Sequence, residues 1–84
     1  MLRVEYEKWG QTVEDLRRLS FRASHERTRE RFLALYEITQ GSNATKVAEK
    51  SGREDETVQA WVKRYNSDGP DAIAYQHTGG RSPL

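Results

Sequence analysis

The chain has no cysteine among its 84 residues. A disulfide framework and thiol chemistry are therefore excluded. No apolar run approaches the roughly 20 residues that span a bilayer, and no secretory signal is visible. A cytoplasmic protein is the expectation. Excess charge of one sign is also scarce. Fourteen Lys and Arg against 13 Asp and Glu leave +1, less than a dedicated nucleic-acid binder usually carries. There is no internal repeat and no glycine-rich phosphate loop. His25 and His77 stand far apart in polar surroundings, without the spacing of a metal site. No catalytic residue, no metal and no cofactor is expected, and the chain does not read as an enzyme.

What is present is enough for one small ordered domain. A chain of this size buries only about 60% of its unfolded surface. Trp9, Phe21, Phe32, Tyr36, Trp61 and Tyr65 nevertheless supply large apolar anchors. The pattern predicts an all-α fold, a bundle of four to five helices with an extended N-terminal arm or short strand. Leu2, Val4 and Tyr6 alternate with Arg3, Glu5 and Glu7, the period of a strand or an arm. Gly10 ends that segment. Thr12 and Asp15 form a capping-box pair, followed by a first helix with Val13, Leu16 and Leu19 (or Ser20) on one face. Ser24 is expected to start a second helix that runs to Thr39. Phe32, Leu35, Tyr36 and Thr39 form its inner stripe, helped by Leu33 and Ile38.

Gly41 ends that helix and Asn43 caps the next. The stretch 43–65 reads NATKVAEKSGREDETVQAWVKRY. Ala48 is small where a second helix must cross close. Gly52 sits where the chain leaves the helix, a place that favours positive φ. Val58 and Trp61 lie three apart and point back into a shared core, joined by Val62 and Tyr65. That is the skeleton of a helix-turn-helix, whose second helix usually enters the major groove of DNA. The same spacing fits a plain helical hairpin. The fourth helix is expected from Glu54 or Asp55 to Asn66. Gly69 and Pro70 then stop it and open a short last helix through Ile73 and Ala74. Phe32, Tyr36, Val47, Ala48, Val58, Trp61, Val62 and Tyr65 are the expected core.

The run Gly41, Val47-Ala48, Gly52, Thr57-Val58, Trp61, Arg64-Tyr65-Asn66, Gly69, Ala72-Ile73, Gly80-Arg81 and Pro83 resembles the N-terminal DNA-binding region of mariner-like bacterial insertion-sequence transposases. The resemblance covers most of the chain from Glu26 onward. It implies a homeodomain-like or paired-like helix-turn-helix that grips transposon ends. It also implies that the metal-holding carboxylates of the full enzyme belong to a domain outside these 84 residues. The family usually has an apolar residue, a Ser or Thr cap and basic residues after the turn glycine. Here those places hold Arg53, Glu54, Asp55 and Glu56.

If the unit meets DNA, geometry names the contacts. Arg53, Glu54, Asp55, Glu56, Gln59, Ala60 and Lys63 are expected to face outward, with Arg64 at the edge. Gln59 has the groups to read adenine bidentately, Asp55 or Glu56 to accept from cytosine, and Ala60 to leave room for a thymine methyl. Thr45, Lys46 and Thr57 are placed for phosphates. Arg17, Arg18, Arg22, Arg27, Arg29 and Arg31 make a basic stretch. It is either a phosphate-facing stripe or a solvated surface laced with pairs to Glu26 and Glu30. Arg81, within Gly79-Gly80-Arg81-Ser82-Pro83, is either a minor-groove hook or part of a flexible linker.

The expected layout is an N-terminal arm at 1–10, the helix-turn-helix domain at 11–75 and a tail or linker at 76–84. Two functions follow. One is sequence-specific binding of double-stranded DNA, at transposon ends or an operator, through the helix at 54–66. The other is a protein-interaction module or transcriptional regulator whose recognition surface has turned acidic. The expected partners are double-stranded DNA and, in an assembly the fold leaves open, a second copy of the chain. No membrane and no small-molecule substrate is expected, and the nucleoid is the expected place.

Overall fold

The computed structural model describes residues 3–74. A 3-10 helix at Tyr6–Trp9 leads into five α-helices. They are α1 (Val13–Arg22), α2 (Glu26–Thr39), α3 (Ala44–Ser51), α4 (Asp55–Asp68) and α5 (Pro70–Ile73). No strand forms among the described residues.

Local chemistry sets most of the boundaries. Thr12 and Asp15 close a full capping box at the start of α1. Each side chain takes an end amide that has no helical partner. Asn43 accepts from the Lys46 amide at 2.9 Å and opens α3. The second helix departs from expectation by a residue. His25, not Ser24, is its cap, with Nδ1 accepting from the Arg27 amide at 3.1 Å.

Gly52 ends α3 in the left-handed region, at φ 72°. The Arg53 amide then reaches back to the Ala48 carbonyl at 2.9 Å, the six-to-one bond of a Schellman stop. The Ala48 and Gly52 spacing is thus a helix stop as well as a helix crossing. Gly69 ends α4 at φ 96°. A side chain there would be strained, and its Cβ would stand 3.1 Å from the Trp9 ring.

The core gathers around α2 and α4. Leu16, Leu35, Val58, Val62, Tyr65 and Ile73 are fully buried, with Phe32, Ala34, Val47 and Ala48 beside them. Tyr36 and Trp61, expected inside, are half-buried and pack on its margin. Leu33 lies outside, 42% exposed, because it sits one position off the buried line of α2.

The alternation of Val4 and Tyr6 yields no strand. Residues 3–5 are irregular and the chain then turns into the 3-10 helix. Val4 is buried at 2% exposure. Asn66 of α4 holds the segment, accepting from the Glu5 amide at 2.8 Å and donating to the Arg3 carbonyl at 2.7 Å. Its own carbonyl accepts from Lys8 Nζ at 2.9 Å. An arm pinned at three points to a helix has no need of a partner strand. Leu2 lies outside the described residues.

Tyr65 is the largest fully buried side chain, and its hydroxyl donates to Gln11 Oε1. Burial pushes its phenol up to about 12, and the Asp15 carboxylate adds to the rise. The folded state therefore keeps this proton more tightly than the unfolded chain. The contribution is whole below the ordinary value near 10 and is lost as pH climbs from there toward 12. Thermal stability is expected to fall more steeply across that window in the parent than in Tyr65→Phe. Parallel curves for the two proteins would uncouple this phenol from alkaline unfolding.

Candidate functional site

The outward face of α4 follows from its buried one. Val58, Val62 and Tyr65 are sealed in the core. On a 3.6-residue helix, Glu56, Ala60 and Lys63 lie opposite them. All three are exposed. Thr57 and Arg64, seven apart, form one shoulder of that face, and Gln59 forms the other. Thr57 and Gln59 are half-buried and Arg64 is exposed. Of the expected readers, Glu56, Gln59 and Ala60 therefore share one surface, backed by a rigid core, whereas Asp55 is half-buried on the line of Val62. Thr45 and Lys46 are exposed on the first turn of α3. The Lys46 amide is already taken by Asn43, so only its side chain is offered.

The entrance to α4 is acidic. Glu54 is the N-cap residue but makes no side-chain capping bond, and Asp55 and Glu56 occupy the first turn. Negative charge is favourable there because it faces the positive end of the helix dipole. Among the described residues none of the three forms an ion pair.

Arg53 is exposed, as expected, but its side chain is engaged. Its Nε and Nη2 donate to the two carboxylate oxygens of Glu30 on α2, at 2.8 and 2.9 Å. Glu30 is held below the usual carboxylate range, chiefly by this hydrogen bond, against the opposing effect of burial. A second tie, Lys50 to Glu37 at 2.6 Å, joins α3 to α2.

The arginine stretch is neither one stripe nor a simple ladder with Glu26 and Glu30. The bend after α1 splits it between two helices. Arg17 and Arg18 pair with Glu14 and Asp15 at 3.7 and 3.1 Å. Arg29 donates to the Ala23 carbonyl at 2.6 Å and so closes the corner between α1 and α2. Arg31 lies 5.8 Å from the Trp61 ring centre and donates to the Ile73 carbonyl at 3.1 Å. It thereby links α2, α4 and α5. Burial lowers its pKa, and so do Arg27, Arg53 and Arg64, with Glu30 opposing them. Three other arginines thus lie within electrostatic reach of Arg31.

The bonds of Glu30 to Arg53 and of Asn66 to residues 3–5 are not legible in the sequence, because each joins segments distant in the chain and no local pattern marks it. Arg81 and His77 lie outside the described residues. Among the described residues no group of three or more His, Asp and Glu is placed to hold a metal ion. No helix among them is long and apolar enough to cross a membrane.

No curated protein and no solved structure is significantly similar to the chain. A homeodomain-like domain profile matches residues 25–74. The match runs from the cap of α2 to the end of α5, so α2, α3, α4 and α5 lie within it and α1 and the 3-10 helix precede it. That fold suggests DNA binding. With more than half of its length inside the match, the chain belongs to the homeodomain-like helix-turn-helix family.

Proposed function

We propose that the chain binds double-stranded DNA in a sequence-specific manner, laying α4 in the major groove, as the recognition part of a mariner-like insertion-sequence transposase. One observation carries the DNA reading. Gln59, Ala60, Lys63 and Arg64 are presented together on the side of α4 turned away from the core. The transposase assignment is supported by the sequence resemblance from Gly41 to Pro83. The same surface would also serve an operator. No strand-transfer chemistry is assigned to this chain, and the nucleoid is its proposed place.

Phosphate contacts fall to Thr45, Lys46, Thr57, Lys63 and the arginines beside α4, and base contacts to Gln59 and Ala60. Binding should weaken with salt, with a shallow slope of about three to five ions because few cations face the duplex. Affinity that stays flat from low to physiological salt would remove the electrostatic part of this reading. Gln59→Ala should cost about 1–3 kcal/mol on the preferred site and leave random duplex nearly unchanged. Equal losses on both, measured by anisotropy, would mean that Gln59 reads no base.

A second reading is favoured by the acidic entrance of α4. Glu54, Asp55 and Glu56 have no ion-pair partner among the described residues, which suits a basic protein partner. Neutralising them would then abolish that capture and leave DNA affinity untouched.

A further inference from the structure

Arg53 is the first residue beyond the turn glycine and stands two places before α4 begins. Its guanidinium meets both oxygens of Glu30 side by side, at 2.8 and 2.9 Å. A planar guanidinium fork takes a carboxylate and a phosphate in the same two-pronged way. A backbone phosphate is therefore a chemical competitor for the seat that Glu30 holds. The pair is also reachable, since the Arg53 and Glu30 side chains are 40% and 27% exposed. Giving up Arg53 would not strand the carboxylate in an uncompensated site. Arg27 and Arg31, on the same helix, also act on Glu30 and favour its charge.

We propose, resting on the DNA-binding reading above, that Glu30 is an internal stand-in for a DNA phosphate. In the free protein it holds Arg53 away from the duplex-facing surface. In the complex it yields the guanidinium to the DNA backbone beside α4. The free chain then shows three acids at the entrance of α4 with the arginine that precedes them in sequence turned aside. Loose association with arbitrary DNA is suppressed, and only a duplex seated closely enough to bring a phosphate to Arg53 gains the extra contact.

A double-mutant cycle on the intact chain tests this, with anisotropy of a labelled random-sequence duplex as the readout. Glu30→Gln keeps the shape of the side chain and removes its charge. It should tighten binding about fivefold and steepen the salt slope by about one ion. Arg53→Ala should weaken the parent only about twofold, because Glu30 competes for that side chain there. In the Glu30→Gln background the same change should cost about tenfold, a coupling that separate effects cannot give. Equal tightening by Glu30→Gln with and without Arg53 would reduce Glu30 to a bystander charge and overturn the proposal. So would no tightening at all. Melting curves of all four proteins establish that each is folded. If Glu30→Gln is not, the unmutated protein answers instead. Its Arg53 Nε–H resonance should shift on adding duplex, and a resonance that stays in place would overturn the exchange. A parent that binds duplex but is not tightened by Glu30→Gln defeats this inference alone. A parent and variant that both fail to bind defeat the DNA reading with it.

Discussion

Tyr65→Ala should remove about 3–5 kcal/mol of stability, the largest loss expected from any single substitution in this chain. Trp61 is the more conspicuous residue in the sequence, but Trp61 is only half-buried and has Arg31 over its ring. Tyr65 has no exposure at all. Truncating it opens a ring-sized cavity beneath α4 and leaves Gln11 without the hydroxyl it accepts from. Packing and hydrogen bonding are then lost together. Marginal domains hold roughly 5–15 kcal/mol in all, and a chain of this size lies toward the low end. Tyr65→Phe keeps the ring and should cost only about 1 kcal/mol. Urea melts of the three proteins give the order parent, Tyr65→Phe, Tyr65→Ala. A Tyr65→Ala midpoint equal to the parent's would refute the core assignment and with it the placement of α4.

The largest functional effect is expected at the entrance of α4. Asp55→Asn with Glu56→Gln should raise affinity for random duplex about tenfold, through the loss of two charges that repel phosphate. A small loss of stability should accompany it, because both carboxylates sit at the positive end of the helix dipole. The preferred site gains less if either acid accepts from a cytosine, and specificity at that base pair then relaxes. Anisotropy on random and selected duplexes separates these outcomes. A drop in random-duplex affinity after neutralisation would contradict the prediction, since removing repulsion cannot weaken an electrostatic complex.

Most of the fold could be read from local signals. Thr12, Asn43, Gly52 and Pro70 act within a few residues of themselves, so their caps, stop and start were visible in the order of residue types. Val58, Val62 and Tyr65 repeat at helical spacing and declared the inner face of α4. The readable part of the candidate site follows from that face, because what is not inward must be outward. Of the arm or short strand expected at the N-terminus, the strand does not form, for the opposite reason. Leu2, Val4 and Tyr6 alternate, but the place of Val4 is fixed by a bond between Glu5 and Asn66, 61 residues apart. The pairing of Arg53 is hidden in the same way. Its position in the turn pointed outward, whereas Glu30, 23 residues earlier, turns its side chain back onto α2. Helix periodicity carries no information about such pairings. The half-burial of Trp61 was equally hidden, since it depends on how α2 and α4 cross.

In the proposed complex the exposed side of α4 is the surface that meets DNA. The most direct test is a residue-by-residue amide map of the intact protein titrated with a selected duplex. The largest shifts are expected at Glu56, Thr57, Gln59, Ala60, Lys63 and Arg64, with a second group at Thr45 and Lys46. Residues of α1 such as Glu14 and Arg18 should stay in place. Shifts confined to α1 or to the Leu33 side of α2, with α4 silent, would contradict it.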